Sequence, residues 1–156
     1  MTISTFRIAA VAAVLTVTSS PAVFASLGGN VATVQSDRVQ MQGALRQIVQ
    51  RDTFTTHEMQ SAAGVVVREF VSPDGTVFGV AWQGGTFPDL RQLLGPYFAR
   101  YQQEVERAVR ARRGHGPLTI DLGDVVVQTS GHMRGFIGRA YLPAMLPQGV
   151  AVESIK

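Results

Sequence analysis

Two runs rich in β-branched and aromatic residues, Val65–Val71 (VVVREFV) and Thr76–Trp82 (TVFGVAW), are separated by only Ser72-Pro73-Asp74-Gly75. Such side chains suit a pleated surface. Pro presets φ for the second position of a turn, and Gly accepts the left-handed conformation that closes it. The segment therefore reads as a β-hairpin. With a four-residue loop, Val71 faces Thr76 and Val65 faces Trp82. Period two then puts Val65, Val67, Val71, Phe78, Val80 and Trp82 on one face, and Val66, Phe70, Val77 and Ala81 with Arg68 on the other. Apolar residues on both faces demand cover on both sides. Arg68 falls opposite Gly79, whose missing side chain leaves it room.

The remaining pattern builds outward from this hairpin. Phe54–Gln60 is a further strand, followed by the small-residue bend Ser61–Gly64. Asp124–Thr129 (DVVVQT) and His132–Tyr141 (HMRGFIGRAY) flank Ser130-Gly131, a two-residue hairpin turn, which sets Asp124 across from Ile137. Leu118–Asp121 is a short extended piece. Between the two hairpins, the glycine loop Gln83–Phe87 leads to a helical turn from Pro88-Asp89 to Leu94; Gly95 interrupts it, and Pro96 restarts a helix to about Arg113. Phe98, Tyr101, Val105, Ala108 and Val109 form its apolar stripe. Upstream, Val39, Ala44, Leu45, Ile48 and Val49 approximate helical spacing, predicting a short helix over Val39–Val49 despite Gly43. The order helix, three strands, long helix, two strands gives an α+β fold: an antiparallel sheet of about five strands, with helices mainly on one face.

The first 25 residues carry a different message. Met1–Arg7 is a head with one base and no acid, Ile8–Val17 is an apolar run, and Val23-Phe24-Ala25 closes on a small-x-small pattern. These are the three regions of a secretory signal peptide in order, with cleavage expected between Ala25 and Ser26. Ile8–Val17 is too short for a membrane span, which needs roughly 20 residues, so no stable membrane anchor is expected after cleavage. The expected organisation is a signal peptide over residues 1–25, an arm and short helix over 26–53, and a single α+β domain over 54–156. The whole chain has 156 residues and a net charge of +3, so removing 25 residues with their one base leaves 131 and +2. Cys is absent from the composition. An exported domain of this kind has no disulfides, thiolate ligands, thiol nucleophile or lipid-bearing cysteine, and must hold itself together by its core.

Candidate chemistry is sparse. His57, His115 and His132 stand in no metal-ligand spacing, so no metal or cofactor is expected. Ser130, His132, Asp121 and Asp124 supply the residue types of a nucleophilic triad, but Ser130 serves as a turn residue and no G-x-S-x-G elbow is present. The basic cluster Arg107, Arg110, Arg112 and Arg113 fits a solvated helix end, where the dipole favours cations, better than a nucleic-acid surface. His132 and Arg134, two residues apart on one strand face, are the strongest pair for holding a carboxylate or phosphate. The plainer reading pairs Arg134 and Arg139 with structural carboxylates such as Glu69, Asp121 or Asp124. Trp82, beside Gly84-Gly85, is either a stacking platform or a core residue that contributes area. The binding candidates are thus His132, Arg134, Arg68 and Trp82.

Several stretches together carry a family resemblance. They are Leu27-Gly28-Gly29, the hairpin Val66–Gly84, PDLRQLLGPYF at Pro88–Phe98, GDVVVQTSGHMRGFIGRAYLP at Gly123–Pro143, and PQGV at Pro147–Val150. The chain resembles an exported bacterial family catalogued as domain of unknown function 2844. The resemblance covers nearly all of the expected mature chain. It implies a small exported protein of Gram-negative bacteria acting in an envelope process, and it brings no catalytic residue or cofactor to transfer. The sequence thus points to a non-enzymatic periplasmic or secreted protein that binds an envelope or exported protein partner, and not nucleic acid. Two alternatives stand beside it. One is a small ligand-binding protein or hydrolase using His132 and Arg134 with a nearby carboxylate; the other is an extracellular structural component.

Overall fold

In the computed structural model, residues 27–30, 44–111, 116–132 and 135–156 are described. The signal segment, its Ala25–Ser26 junction and residues 39–43 of the expected short helix lie outside them. Seven strands form one antiparallel sheet: β1 (Ala44–Gln50), β2 (Thr55–Gln60), β3 (Val66–Val71), β4 (Val77–Gly84), β5 (Leu118–Asp121), β6 (Val126–His132) and β7 (Gly135–Tyr141), in the order β1-β2-β3-β4-β7-β6-β5. The expectation of about five strands is corrected at both edges. Ala44–Gln50, expected to end a helix, is a strand paired with β2, and the extended piece Leu118–Asp121 is a strand paired with β6. A seven-residue segment gains little as an isolated helix, whereas an edge position gives its backbone a ladder of hydrogen bonds.

The β3–β4 hairpin forms with a register different from the expected one. Arg68 faces Ala81, not Gly79, and Val67 faces Trp82. The ladder slips between Phe70↔Gly79 and Val71↔Val77, leaving Phe78 as a bulge residue. A bulge turns the strand locally, and Val77 and Phe78 exchange the faces that strict alternation would give them: Val77 joins one core and Phe78 the other. The loop is closed by side chains as well as by Gly75 at φ 86. Ser72 Oγ bonds Asp74 and donates to Thr76 O at 2.9 Å, and Asp74 Oδ2 accepts from Thr76 Oγ1 at 3.2 Å.

The second hairpin also turns later than expected. Val126 faces Tyr141 and His132 faces Gly135, so Ser130 and Gly131 belong to the ladder instead of forming its turn, and His132 ends β6 instead of opening its partner strand. Asp124 lies before β6 and has no strand partner across from it.

The helical segment follows its sequence signals. Asp89 Oδ1 accepts from Arg91 N and Gln92 N and caps α1 (Leu90–Leu94). Gly95–Tyr97 is a 3-10 turn containing Pro96, and α2 (Phe98–Ala111) follows. Tyr101 is buried, and Phe98, Val105 and Ala108 pack on the sheet core, while Val109 is 61% exposed and leaves the expected stripe. Among the described residues, no helix is long and apolar enough to cross a membrane.

Two cores sandwich the sheet. On the helix face, Val67, Val80, Trp82, Ala140, Val127 and Ile120 come from five strands and meet Leu93, Leu94 and Tyr101. Leu27 joins them at 1% exposure; the Leu27 N–H bonds Leu93 O, and Gly28 N and Gly29 O exchange hydrogen bonds with Val77. On the opposite face, Phe54, Phe70 and Phe78 pack with ring centroids 5.8 to 6.3 Å apart, and the C-terminal segment folds over them through Leu146, Val150 and Ile155. Gly79 makes that cover possible, since a Cβ there would stand 3.0 Å from Ile155 Cδ1.

Candidate functional site

The face opposite the helices carries a polar rung across the whole sheet. Register places Gln47, Glu58, Arg68, Ala81, Arg139, Gln128 and Thr119 side by side from β1 to β5. Residues in one rung share a face and lie close enough to interact directly, and here they pair along it. Arg68 Nε meets Glu58 Oε2 at 2.8 Å, and Arg139 Nε donates to Gln128 Oε1 at 2.7 Å. Between the two arginines stands Ala81, whose small side chain leaves space for the C-terminal segment. Arg68 Nη1 donates to Lys156 O at 3.1 Å, and Arg139 Nη1 donates to Val152 O at 2.8 Å and Ile155 O at 3.4 Å. The two guanidinium groups thus hold the segment's main chain from either side.

This strap divides the open face. Toward β5 lies a groove of about 460 Å³, lined by Arg68, Gln83, Thr119, Gln128, Ser130, Ile137 and Arg139, with Ile155 and Lys156 as one wall. Toward β1 lies a smaller trough of about 160 Å³, lined by Gln47, Val49, Thr56, Glu58 and Phe70 among others. The next rung over, Val66-Gln83-Ile137-Ser130, extends the larger groove, and Ile137 is 53% exposed in it.

Of the four residues singled out from sequence, Arg68 and Trp82 both line the groove. Trp82 is no stacking platform. It is 3% exposed, and the indole lies over Gly138 in the helix-side core with Nε1 buried and no acceptor among the described residues. His132 pairs through its main chain with Gly135 at the end of β6; its side chain, and Arg134 altogether, lie outside the described residues.

The acids offered as partners for these groups are committed elsewhere. Asp124 Oδ2 takes Arg100 Nη1 at 2.7 Å, and that hydrogen bond holds the Asp124 carboxyl below its usual range. Asp121 Oδ1 accepts from Gly123 N at 2.8 Å within its own turn. Glu69 is fully buried on the helix side, between His57 and Val80 across the strands, and so faces away from Arg139. Arg139 is therefore bonded to an amide and main-chain carbonyls, not to the carboxylates expected for it. Elsewhere, burial lowers the His57 pKa and raises that of Tyr101, which hydrogen-bonds Thr129. Arg107 and Arg110 pair with Glu104 and Glu106 along α2, as a solvated helix surface does, while Arg112 and Arg113 lie outside the described residues.

Sequence reasoning did not single out Gln128, Gln83 or Lys156, and it assigned Arg139 the wrong partners. The signal for the polar rung is the alternation of Gln128 and Arg139 with apolar neighbours, which becomes informative only once the later turn brings the two opposite each other. Among the described residues, no group of three or more His, Cys, Asp or Glu side chains is placed to hold a metal ion. The arrangement offers fixed cations, amides and hydroxyls around an open floor, which is equipment for binding. Neither a curated protein nor a solved structure matches the chain. A family model does, over residues 23–155, and the chain accordingly belongs to the family described as protein of unknown function (DUF2844).

Proposed function

We propose that this protein is an exported, non-catalytic binding protein of the cell envelope, with the groove between the C-terminal strap and the β6–β7 hairpin as its working surface. The observation that carries this reading is the groove itself. Its volume of about 460 Å³ falls among those of ligand sites, and it combines a mostly apolar floor with a few convergent polar groups. Arg68 and Arg139 are pre-oriented by the bonds that hold the strap. The charge pattern of residues 1–25 supports export, and the absence of Cys supports a freely diffusing mature chain. Among the described residues, the three acids named for the hydrolase alternative stand away from the groove: Asp121 bonds Gly123 N, Asp124 pairs with Arg100, and Glu69 is buried on the helix side.

Co-purification from envelope extract tests this with three forms of the protein: unaltered, Ile137→Glu in the groove, and Val109→Glu on the exposed side of α2. Recovery of a defined partner by the unaltered and Val109→Glu forms, with about tenfold less by Ile137→Glu, is the expected pattern, since a charge forced into a binding surface costs far more than one on free surface. Equal recovery by all three, or loss with Val109→Glu alone, overturns the assignment of the surface.

A further inference from the structure

Resting on that reading of the groove, we propose that its occupant is an extended, acidic segment of a partner protein. Charge is the first reason. Arg68, Arg139 and Lys156 line the groove and, among the described residues, no acidic side chain does; Arg68 is itself paired with Glu58 in the smaller trough and with the Lys156 main-chain oxygen, so the positive charge offered to the groove rests mainly on Arg139 and the Lys156 ammonium. The bonds that fix the two arginines use Nε and Nη1. Their Nη2 edges take no part in these bonds, and each planar fork is already held in place. Part of the ordering entropy of a carboxylate contact is therefore lost on folding and not on binding.

The second reason is that this surface already accommodates main chain. The strap crosses the polar rung over Ala81, and the main-chain oxygens of Val152, Ile155 and Lys156 accept hydrogen bonds from the two arginines. A second extended chain laid beside the strap meets Gln83, Gln128 and Ser130, which offer both donors and acceptors to peptide groups. Exposed Ile137 offers an apolar contact for an alternating side chain.

The third reason separates a polypeptide from an acidic glycan or a nucleic acid. Sugars and bases gain much of their affinity by stacking on exposed ring faces. Among the described residues, the one aromatic side chain lining the groove, Trp82, is 3% exposed with its indole in the helix-side core.

The test uses the purified protein and three probes: a capped peptide alternating Glu and Ile, the same peptide with Gln for Glu, and oligogalacturonate as an acidic glycan. Backbone amide shifts locate binding, and titration at two salt concentrations measures it. The expected result is binding of the Glu peptide about tenfold tighter than the Gln peptide at low salt, with the difference shrinking as salt screens it. Shifts should centre on Gln128, Ser130 and Ile137. Gln83→Glu and Ile137→Glu, both exposed and outside the strap contacts, should weaken the Glu peptide several-fold; Ile137→Lys should strengthen it, and Val109→Glu should leave it unchanged. Equal binding of the Glu and Gln peptides in the groove overturns the acidic class while leaving a peptide-binding groove. Binding of oligogalacturonate in preference to both peptides overturns the polypeptide. No probe shifting the groove in a folded protein overturns this inference, whereas the reading of an exported binding protein is decided separately by the co-purification pattern.

Discussion

Gly138 and Trp82 stand directly opposite each other on β7 and β4, and the indole lies where a side chain at 138 would be. A Cβ at 138 would overlap Trp82 Cζ2 and Cε2 and stand 2.9 Å from Gln128 O, leaving it backbone on one side and an immobile ring on the other. Gly138→Ala is predicted to cost about 1–3 kcal/mol, the range for overpacking a well-filled core. Urea denaturation measures this, and unchanged stability would contradict the packing described. His57 gives a prediction with pH. Burial lowers its folded-state pKa below the unfolded value of 6.5, so the unfolded chain takes up a proton first as pH falls. Stability from this residue is then full above about pH 6.5 and declines below it. Denaturation midpoints at pH 7.5 and 5.5 should differ less in His57→Gln than in the unaltered protein. Single residues were partly legible in the sequence. Arg68 and Trp82 stood out by type and do border the groove. The engagement of Arg139 with Gln128 and the strap depends on strand register and on a segment 13 residues away, neither of which local pattern supplies.

Segments at the two ends of the described chain act as elements of the fold. Leu27 fills the helix-side core and Ile155 the opposite one, at 1% and 0% exposure. Truncating a buried aliphatic side chain costs about 2–5 kcal/mol through lost transfer energy and the cavity left behind. Leu27→Ala and Ile155→Ala are each predicted to fall in that range by denaturant titration. Arg139→Gln, which removes partly exposed hydrogen bonds, should cost less. Ile155→Ala should also loosen the strap, seen as faster amide exchange at Val152–Ile155 with β6 unaffected. A loss under about 0.5 kcal/mol at Ile155, the usual range for surface changes, would mean that the strap is not part of the core.

The strands of both hairpins and the helical segment were readable from periodicity, turn residues and caps, because those signals are local. Ala44–Gln50 was misread, since a few apolar residues at mixed spacing fit a helix as well as a strand, and pairing with β2 decides the outcome. Ser130-Gly131 looked like the sharper turn, but the later one shifts the register so that Val127 stands opposite Ala140 in the core.

At the scale of the molecule, a seven-stranded sheet has two faces to cover and two unequal means of covering them. The helices close one face over Val67, Val80, Trp82 and Val127, while the C-terminal segment closes only the part of the other that carries Phe54, Phe70 and Phe78. What stays open is the polar rung and the groove beside it. Without Cys to form disulfides, a domain of this size relies on these two cores for its stability. Among the described residues, the open face bears structural contacts chiefly where Arg68 and Arg139 grip the strap. The α+β class was legible from element order; the open face was not, because it depends on where the last residues of the chain come to rest.

On the proposed reading, this open face is where the protein meets its partner. Site-specific photo-crosslinking in the producing cell tests it most directly, with the crosslinker placed in turn at Ile137 and Ser130 in the groove and at Val109 and Arg107 on α2. Discrete crosslinked products from the groove positions, and none from the helix positions, are predicted. Products from the helix positions alone, or none from the groove in cells that accumulate the folded protein, would contradict it.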